Sequence, residues 1–303
     1  GGRLGSGEWG VVEADEAFGS FLLLEPEVAL VTNIDEDHLG FYGGLEGLEA
    51  AFKDFVHKSK KRVVVCTDDE RAATLTEGFA GRLTYGLEGA DVTAGEIEGD
   101  AFGSSFNLMI ERLDAGRVSL ALGGRHNLQN ALGAAAAGVA IGIRPVQIVE
   151  GLERFRGVGR RFEWRGTLNG AELRDDYAHN PRKLEAALAQ AKSGPWKRVI
   201  AVFQPHLYSR TQALSNELGA SLTSADVVVV TDVDGAREDP VEGITGKLVA
   251  DAVFETAPGK RVVYLPTINQ AGTFLRTEAR AGDLILTLGC GYINELHELL
   301  LAE

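Results

Sequence analysis

Val199-Ile200-Ala201-Val202-Phe203-Gln204-Pro205-His206-Leu207-Tyr208-Ser209-Arg210-Thr211 opens with an unbroken apolar run and turns polar, then continues to Leu222 with Leu214, Leu218 and Leu222 at helical spacing. A short run with no polar alternation fits a strand covered on both faces, as in parallel sheets. The same rhythm recurs in Val227 to Thr231 followed by Thr245 to Phe254, in Val262 to Leu265 followed by Asn269 to Ala279, and in Leu284 to Leu288 followed by Ile293 to Leu300. Strand and helix in strict alternation predict a mostly parallel, Rossmann-like α/β sheet. Just upstream, Phe162 to Leu168 and Glu172 to Asp175 flank Asn169-Gly170, a two-residue hairpin signal.

Towards the N-terminus the pattern is again α/β. Val11 to Ala14, Val28 to Ile34 and Arg62 to Cys66 read as strands, and Leu45 to Val56 as an amphipathic helix. From about Ala90 to Leu122 short alternating stretches take over. Phe106 to Ile110 and Val118 to Leu122 surround Asp114-Ala115-Gly116, which is expected to be the turn of an antiparallel hairpin. Asn127 to Ile141 is Ala-rich and helical, and Pro145 starts a further helix through Leu152. Arginines 154, 156, 160, 161 and 165, broken by Gly157 and Gly159, form the best linker. The expected domains are therefore 1–155 and 156–303, with the boundary near Arg156.

At 303 residues and 32.3 kDa the chain is long enough for two cores. With 44 acidic against 30 basic residues the net charge is −14, concentrated in the part up to Leu152, which holds 24 acidic and 12 basic residues. General attraction to nucleic acid is excluded by that balance. No apolar run reaches bilayer length, so no membrane insertion is expected. Cys66 and Cys290 are expected to be buried free thiols in a reducing cytoplasm.

Polar residues at the carboxyl ends of the strands carry the chemistry, because ligands of open α/β sheets bind there. Glu13-Ala14-Asp15-Glu16 and Thr32-Asn33-Ile34-Asp35-Glu36-Asp37-His38 end two early strands, and oxygen ligands with one imidazole suit Mg²⁺ better than structural zinc. Gly124-Arg125-His126-Asn127-Leu128-Gln129-Asn130 opens the Ala-rich helix. Asn127 and Asn130 share a helix face that fits a purine edge, although Asn127 as a helix N-cap is the favoured reading on spacing alone. Arg160-Arg161 and Asp175-Asp176 suit phosphate oxygens and ribose hydroxyls respectively. Asn180 before Pro181 is an N-cap, leaving Asp176 free for other work. In the opening stretch Arg210 suits a small carboxylate, with Ser209 as an alternative helix cap. A phosphate loop of the Gly-x4-Gly-Lys-Ser/Thr kind is absent: Gly246-Lys247 is followed by Leu248.

Taken in order, these motifs resemble the Mur ligases of peptidoglycan synthesis. The resemblance runs from Gly1 to about Leu300, and Gly157-Val158-Gly159-Arg160-Arg161-Phe162-Glu163, Asp175-Asp176-Tyr177-Ala178-His179 and Gln204 to Thr211 are its more specific parts. It implies the latter part of a central ATPase domain, a mixed sheet with antiparallel strands, followed by a Rossmann-like C-terminal domain. The sugar-nucleotide domain and the phosphate loop would then precede Gly1, and the isolated chain is expected to be inactive. The implied reaction uses ATP and Mg²⁺ to join L-alanine to UDP-N-acetylmuramate through an acyl phosphate; a recycled tripeptide as acceptor, or a non-catalytic nucleotide-binding module, are the alternatives. By resemblance Glu13 and His38 would hold Mg²⁺, Asn127 and Asn130 adenine, Arg161 the ATP phosphates and Asp176 the ribose side. Tyr177, His179, His206 and Arg210 would form the amino-acid end. The family's His-His-Pro reads His179-Asn180-Pro181 here, and Leu207 stands where an arginine is usual.

Overall fold

The computed structural model describes residues 5–302, which divide into two compact units. One comprises residues up to Ile97 with Ser105–Ser119 and Gln129–Arg154, and the other Glu98–Ser104, Leu120–Leu128 and Phe155 onward.

The first unit is built on a six-stranded sheet in sequential order: β1 (Val28–Val31), β2 (Arg62–Cys66), β3 (Arg82–Tyr85), β4 (Val92–Gly99), β5 (Ser104–Ile110) and β6 (Leu113–Leu120). The pairs from β1 to β4 are parallel. Between them run α1 (Leu39–Tyr42), α2 (Leu45–His57) and α3 (Glu70–Leu75), and after β6 come α4 (Arg125–Ala140) and α5 (Pro145–Arg154). Phe21, Leu48, Phe55 and Val56 bury against Val31, Val63 and Val65 to make the core beneath β1 and β2.

Two expectations fail here. Val11 to Ala14 is not a strand: residues 8–16 have no regular structure, and Val11 and Val12 are 96% and 69% exposed. A β-branched run becomes a strand only where a ladder partner and a buried face receive it. The hairpin of β5 and β6 turns at Glu111-Arg112, not at Asp114-Ala115-Gly116. Both turn residues are left-handed, at φ 49° and 69°, as a two-residue connection demands. Asp114 Oδ1 instead accepts from Gly116 N at 2.8 Å inside β6. Arg117 is already strapped across the ladder to Ser105 Oγ (2.8 Å) and Asn107 Oδ1 (3.2 Å), which fixes the reversal earlier.

The second unit carries the other sheet, formed by β7 (Glu163–Leu168), β8 (Ala171–Asp176), β9 (Arg198–Phe203), β10 (Val227–Val230), β11 (Arg261–Tyr264) and β12 (Asp283–Leu288). Its spatial order is β11-β10-β9-β12-β8-β7, parallel except for the β7–β8 hairpin. Its helices are α6 (Pro181–Lys192), α7 (Tyr208–Leu222), α8 (Lys247–Thr256), α9 (Ile268–Glu278) and α10 (Glu295–Leu301). Alternate residues of one strand enter two different cores. Val199, Ala201 and Phe203 face α6, α7 and α8, whereas Ile200 and Val202 face α9 and α10. That double burial is why the strands read as continuous apolar runs. The chain order reverses between β9 and β12, so the crevice at their carboxyl ends is the unit's switch point.

The hairpin turn falls at Asn169-Gly170, with φ 51° and 78°. A Cβ on Gly170 would stand 2.9 Å from that of Ala281. Gly170→Ala should therefore lower the unfolding free energy by at least about 1–2 kcal/mol, the usual cost of a left-handed non-glycine residue; urea titration checks it, and an unchanged midpoint would refute the argument.

Candidate active site

In the first unit the metal candidates sit apart from regular structure. Glu13 is exposed in the irregular N-terminal segment, so it does not end a strand. His38 is half-buried with φ 56°, and its Nε2 lies 4.0 Å from both Glu16 Oε1 and Asp37 Oδ1. Among the described residues no group of three or more His, Cys, Asp or Glu side chains is arranged to hold a metal. Nothing pairs Glu13 with His38; Glu16 and Asp37 are the carboxylates beside the ring.

In the second unit a cavity of about 430 Å³ is lined by Asn127, Gly157, Arg161, Phe162, Arg174 and Gln190, among others. Its wall is held rigidly. The Arg174 guanidinium lies 4.9–5.8 Å from the rings of Phe102, Phe162 and Trp196, donates to Glu172 at 2.7 Å, and binds the Phe162 carbonyl at 2.8 Å. Arg161 is exposed at this cavity and its guanidinium sits 5.5 Å from the Tyr177 ring centre. Asn127 is not the helix N-cap: α4 begins at Arg125, and the Asn127 amide donates to the Gly123 carbonyl at 2.8 Å instead of accepting. Asn130, one turn further along α4, is exposed.

Asn180 caps α6 as expected, accepting from Lys183 N with Pro181 following. Asp176 is less free than expected. It is 6% exposed, its Oδ2 accepts from Phe162 N at 2.8 Å and its Oδ1 from Ala178 N at 2.9 Å, so it fastens the arginine segment to the end of β8. Burial pushes its carboxyl up to about 6, against the two amide bonds and the Arg161 charge, which favour ionisation.

The four amino-acid candidates converge at the switch-point crevice. Tyr177 meets His179 edge-on at 5.5 Å between ring centres, and His179 meets His206 at 6.4 Å. His206 is held neutral more readily than an exposed imidazole, chiefly by burial, with the Arg210 charge adding to this and Asp234 opposing it. Its Nδ1 is buried with no hydrogen-bond partner. Leu207 takes φ 69° to start α7, and Ser209 does not cap the helix: its N–H and hydroxyl bind Glu238. A non-glycine residue held there is strain stored at the mouth of the crevice.

Sequence reasoning missed the assembly beneath these residues. Arg160 donates from Nε to Asp175 Oδ2 (2.8 Å) and from Nη2 to the Gly289 carbonyl (2.8 Å). Asp175, fully buried, accepts from the Thr287 hydroxyl at 2.7 Å, and that oxygen also meets His297 Nε2 at 2.7 Å. The adjacent aspartates thus divide the work: Asp175 locks the interior and Asp176 meets the arginine segment. A doublet in sequence shows no such division. Cys66 is a buried free thiol as expected, whereas Cys290 is only half-buried, and free.

Two family models match in tandem: the Mur ligase middle domain over residues 8–138 and the Mur ligase glutamate ligase domain over residues 160–291. The chain belongs to the Mur ligase family. It comprises the family's middle and C-terminal domains. Relatives named UDP-N-acetylmuramate–L-alanine ligase include one from Kineococcus radiotolerans, 44% identical over 97% of this chain, and one from Desulforamulus reducens, 40% identical over 95%. The chain spans 63% of the length of each. The solved UDP-N-acetylmuramate-alanine ligase of Thermotoga maritima has the same fold, with a TM-score of 0.77 at 24% identity, covering 95% of this chain and 62% of that one. Among the described residues no helix of this Mur ligase chain is long and apolar enough to cross a membrane.

Proposed function

We propose that the chain is the middle and C-terminal part of a cytoplasmic, ATP-dependent ligase that joins L-alanine to the lactyl carboxylate of UDP-N-acetylmuramate, the two domains meeting near Arg156. The observation that carries the reading is that Asp176, at the end of β8, accepts from the backbone next to Arg161, beside the ring cluster of Tyr177, His179 and His206. A nucleotide-facing group and an acceptor-facing group are thereby joined within a few residues of β8.

The chemistry follows from the weakness of a carboxylate as an electrophile. One of its oxygens attacks the γ-phosphorus of ATP, the bond to the β-phosphate oxygen breaks, and ADP leaves. The acceptor nitrogen then adds to the acyl carbon, loses a proton, and inorganic phosphate departs as the amide forms. Arg161 offsets charge on the phosphoryl oxygens, and Asn127 and Asn130 hold the adenine edge. Asp176, its outer lone pairs left over from the two amide bonds, accepts from ribose. Mg²⁺ would offset charge on the phosphates of ATP, and Glu13 and His38 would be its protein ligands by the resemblance, although Glu16 and Asp37, not Glu13, lie beside His38 here.

Lacking a phosphate loop, the 303-residue chain should release no ADP with both substrates present, yet should bind ADP weakly by calorimetry. Arg161→Ala should weaken that binding about tenfold, the usual worth of one charge-assisted contact. Fused to the N-terminal third of a relative, the chain should turn over with L-alanine in preference to a tripeptide; preference for the tripeptide would reject the assignment.

A further inference from the structure

The start of α7 lies at the acceptor end of the crevice, between His206 and Arg210, and its first amide donors need a partner. Leu207, at the N-cap position, supplies no side-chain acceptor. A carboxylate from another segment takes that place. Glu238 Oε2 accepts from Ser209 N at 2.9 Å, and Oε1 accepts from the Ser209 hydroxyl. Burial disfavours the Glu238 charge, but the Ser209 hydroxyl and N–H, the Tyr208 N–H and the Arg210 guanidinium outweigh it and hold the carboxyl below the ordinary glutamate range. A helix start, a hydroxyl and a guanidinium are donors that would suit any small carboxylate, and here the chain's own side chain has them.

The segment that carries Glu238 has little to fix it. Residues 235–246 form neither helix nor strand, and residues 239–243 are exposed. Ala236 is left-handed at φ 48°, and Gly243 at φ 81°. Its backbone bonds are short in range: Ala236 N to Asp234 Oδ1 at 3.0 Å, Glu238 N to the Gly235 carbonyl at 2.8 Å, and Ile244 N to the Val241 carbonyl at 3.1 Å. The Glu238 side chain reaches out of the loop to α7.

We propose that Glu238 is a built-in competitor of the acceptor: its carboxylate holds the place beside Ser209 and Arg210 that the acceptor's own carboxylate takes, so binding requires loop 235–243 to release α7. This rests on the ligase reading above, which puts the acceptor's carboxylate at Arg210, and adds an autoinhibitory contact to it. A tethered carboxylate competes at a fixed local concentration, so the apparent affinity for the acceptor falls with the fraction of molecules in which the contact is open.

Saturation-transfer NMR titrations of the 303-residue chain test it, with L-alanine, acetate and L-alaninamide as probes. Glu238→Ala should bind L-alanine and acetate at least about fivefold more tightly than the wild type does, and L-alaninamide, which has no carboxylate, no more tightly. Asp239→Asn removes the same charge from the neighbouring exposed residue and should leave all three affinities unchanged, which separates a vacated place from a change in local charge. Equal or weaker binding of L-alanine by Glu238→Ala than by the wild type overturns the competitor role and leaves the ligase reading intact. An equal gain in Asp239→Asn, or an equal gain for L-alaninamide, does the same. Binding of L-alanine by neither the wild type nor Glu238→Ala overturns both. Should Glu238→Ala fail to fold, as urea titration would report, Glu238→Gln, which keeps one oxygen to accept from Ser209, decides by the same comparison.

Discussion

Asp175→Ala should lower the unfolding free energy of the C-terminal domain by about 3–5 kcal/mol, the cost of removing one partner from a buried ion pair. Asp175 is fully buried and joins three elements: Arg160 before β7, Thr287 on β12 and, through that hydroxyl, His297 on α10. Removing the carboxylate strands the guanidinium, which is 24% exposed, and leaves the Thr287 hydroxyl with one partner fewer. Arg160→Ala should be milder than Asp175→Ala, because solvent still screens part of the arginine end while the aspartate end is dry. Urea denaturation of the two single variants and the double variant measures the coupling. Additive losses would mean that the ion pair contributes nothing as a pair.

The second large effect is a pair of opposed titrations. Burial pushes the Asp176 carboxyl up to about 6, so between an ordinary aspartate's 3.8 and 6 the native state holds a proton that the unfolded chain has released. Stability from this group is therefore fully present below 3.8 and is lost as pH rises through 6, by about 3 kcal/mol. His297 runs the other way. Burial is the main force bringing its imidazole down to about 4, so its contribution is fully present above 6.5 and is lost as pH falls through 4, again by about 3 kcal/mol. Across pH 4–6 the two slopes oppose each other. In His297→Gln the Asp176 slope should stand exposed, with stability relative to the wild type falling from pH 4 to 6; Asp176→Asn should show the reverse. Denaturation midpoints across that range give the answer, and parallel profiles for wild type and His297→Gln would sink it.

Much of the fold is legible because its signals are local. Five apolar residues at Val199–Phe203, Asn-Gly at 169–170 and Asn180-Pro181 each specify strand, turn and cap through their own chemistry. Val11–Ala14 has the right residue types, yet strand formation depends on a neighbour, and neighbours are not local. The Glu111-Arg112 turn was hidden because neither residue prefers φ > 0; the cross-ladder grip of Arg117 decides it. The site divides the same way. Tyr177, His179 and His206 follow the ends of β8 and β9, and Arg210 lies in the first turn of the helix after β9; strand ends converge by topology. The separation of labour between Asp175 and Asp176 depends on which donors happen to be within 3 Å, a property of packing from other segments.

The placement of β12 has a consequence for biosynthesis. This last strand lies in the middle of its sheet, with β9 on one flank and β8 on the other. Until its residues clear the ribosome, the nascent domain consists of two half-sheets whose inner edges have no ladder partner. Such edges invite pairing with other chains. Loss of β12 would thus remove far more than its six residues: it would leave both halves open, and the truncated product should be met as chaperone cargo or aggregate.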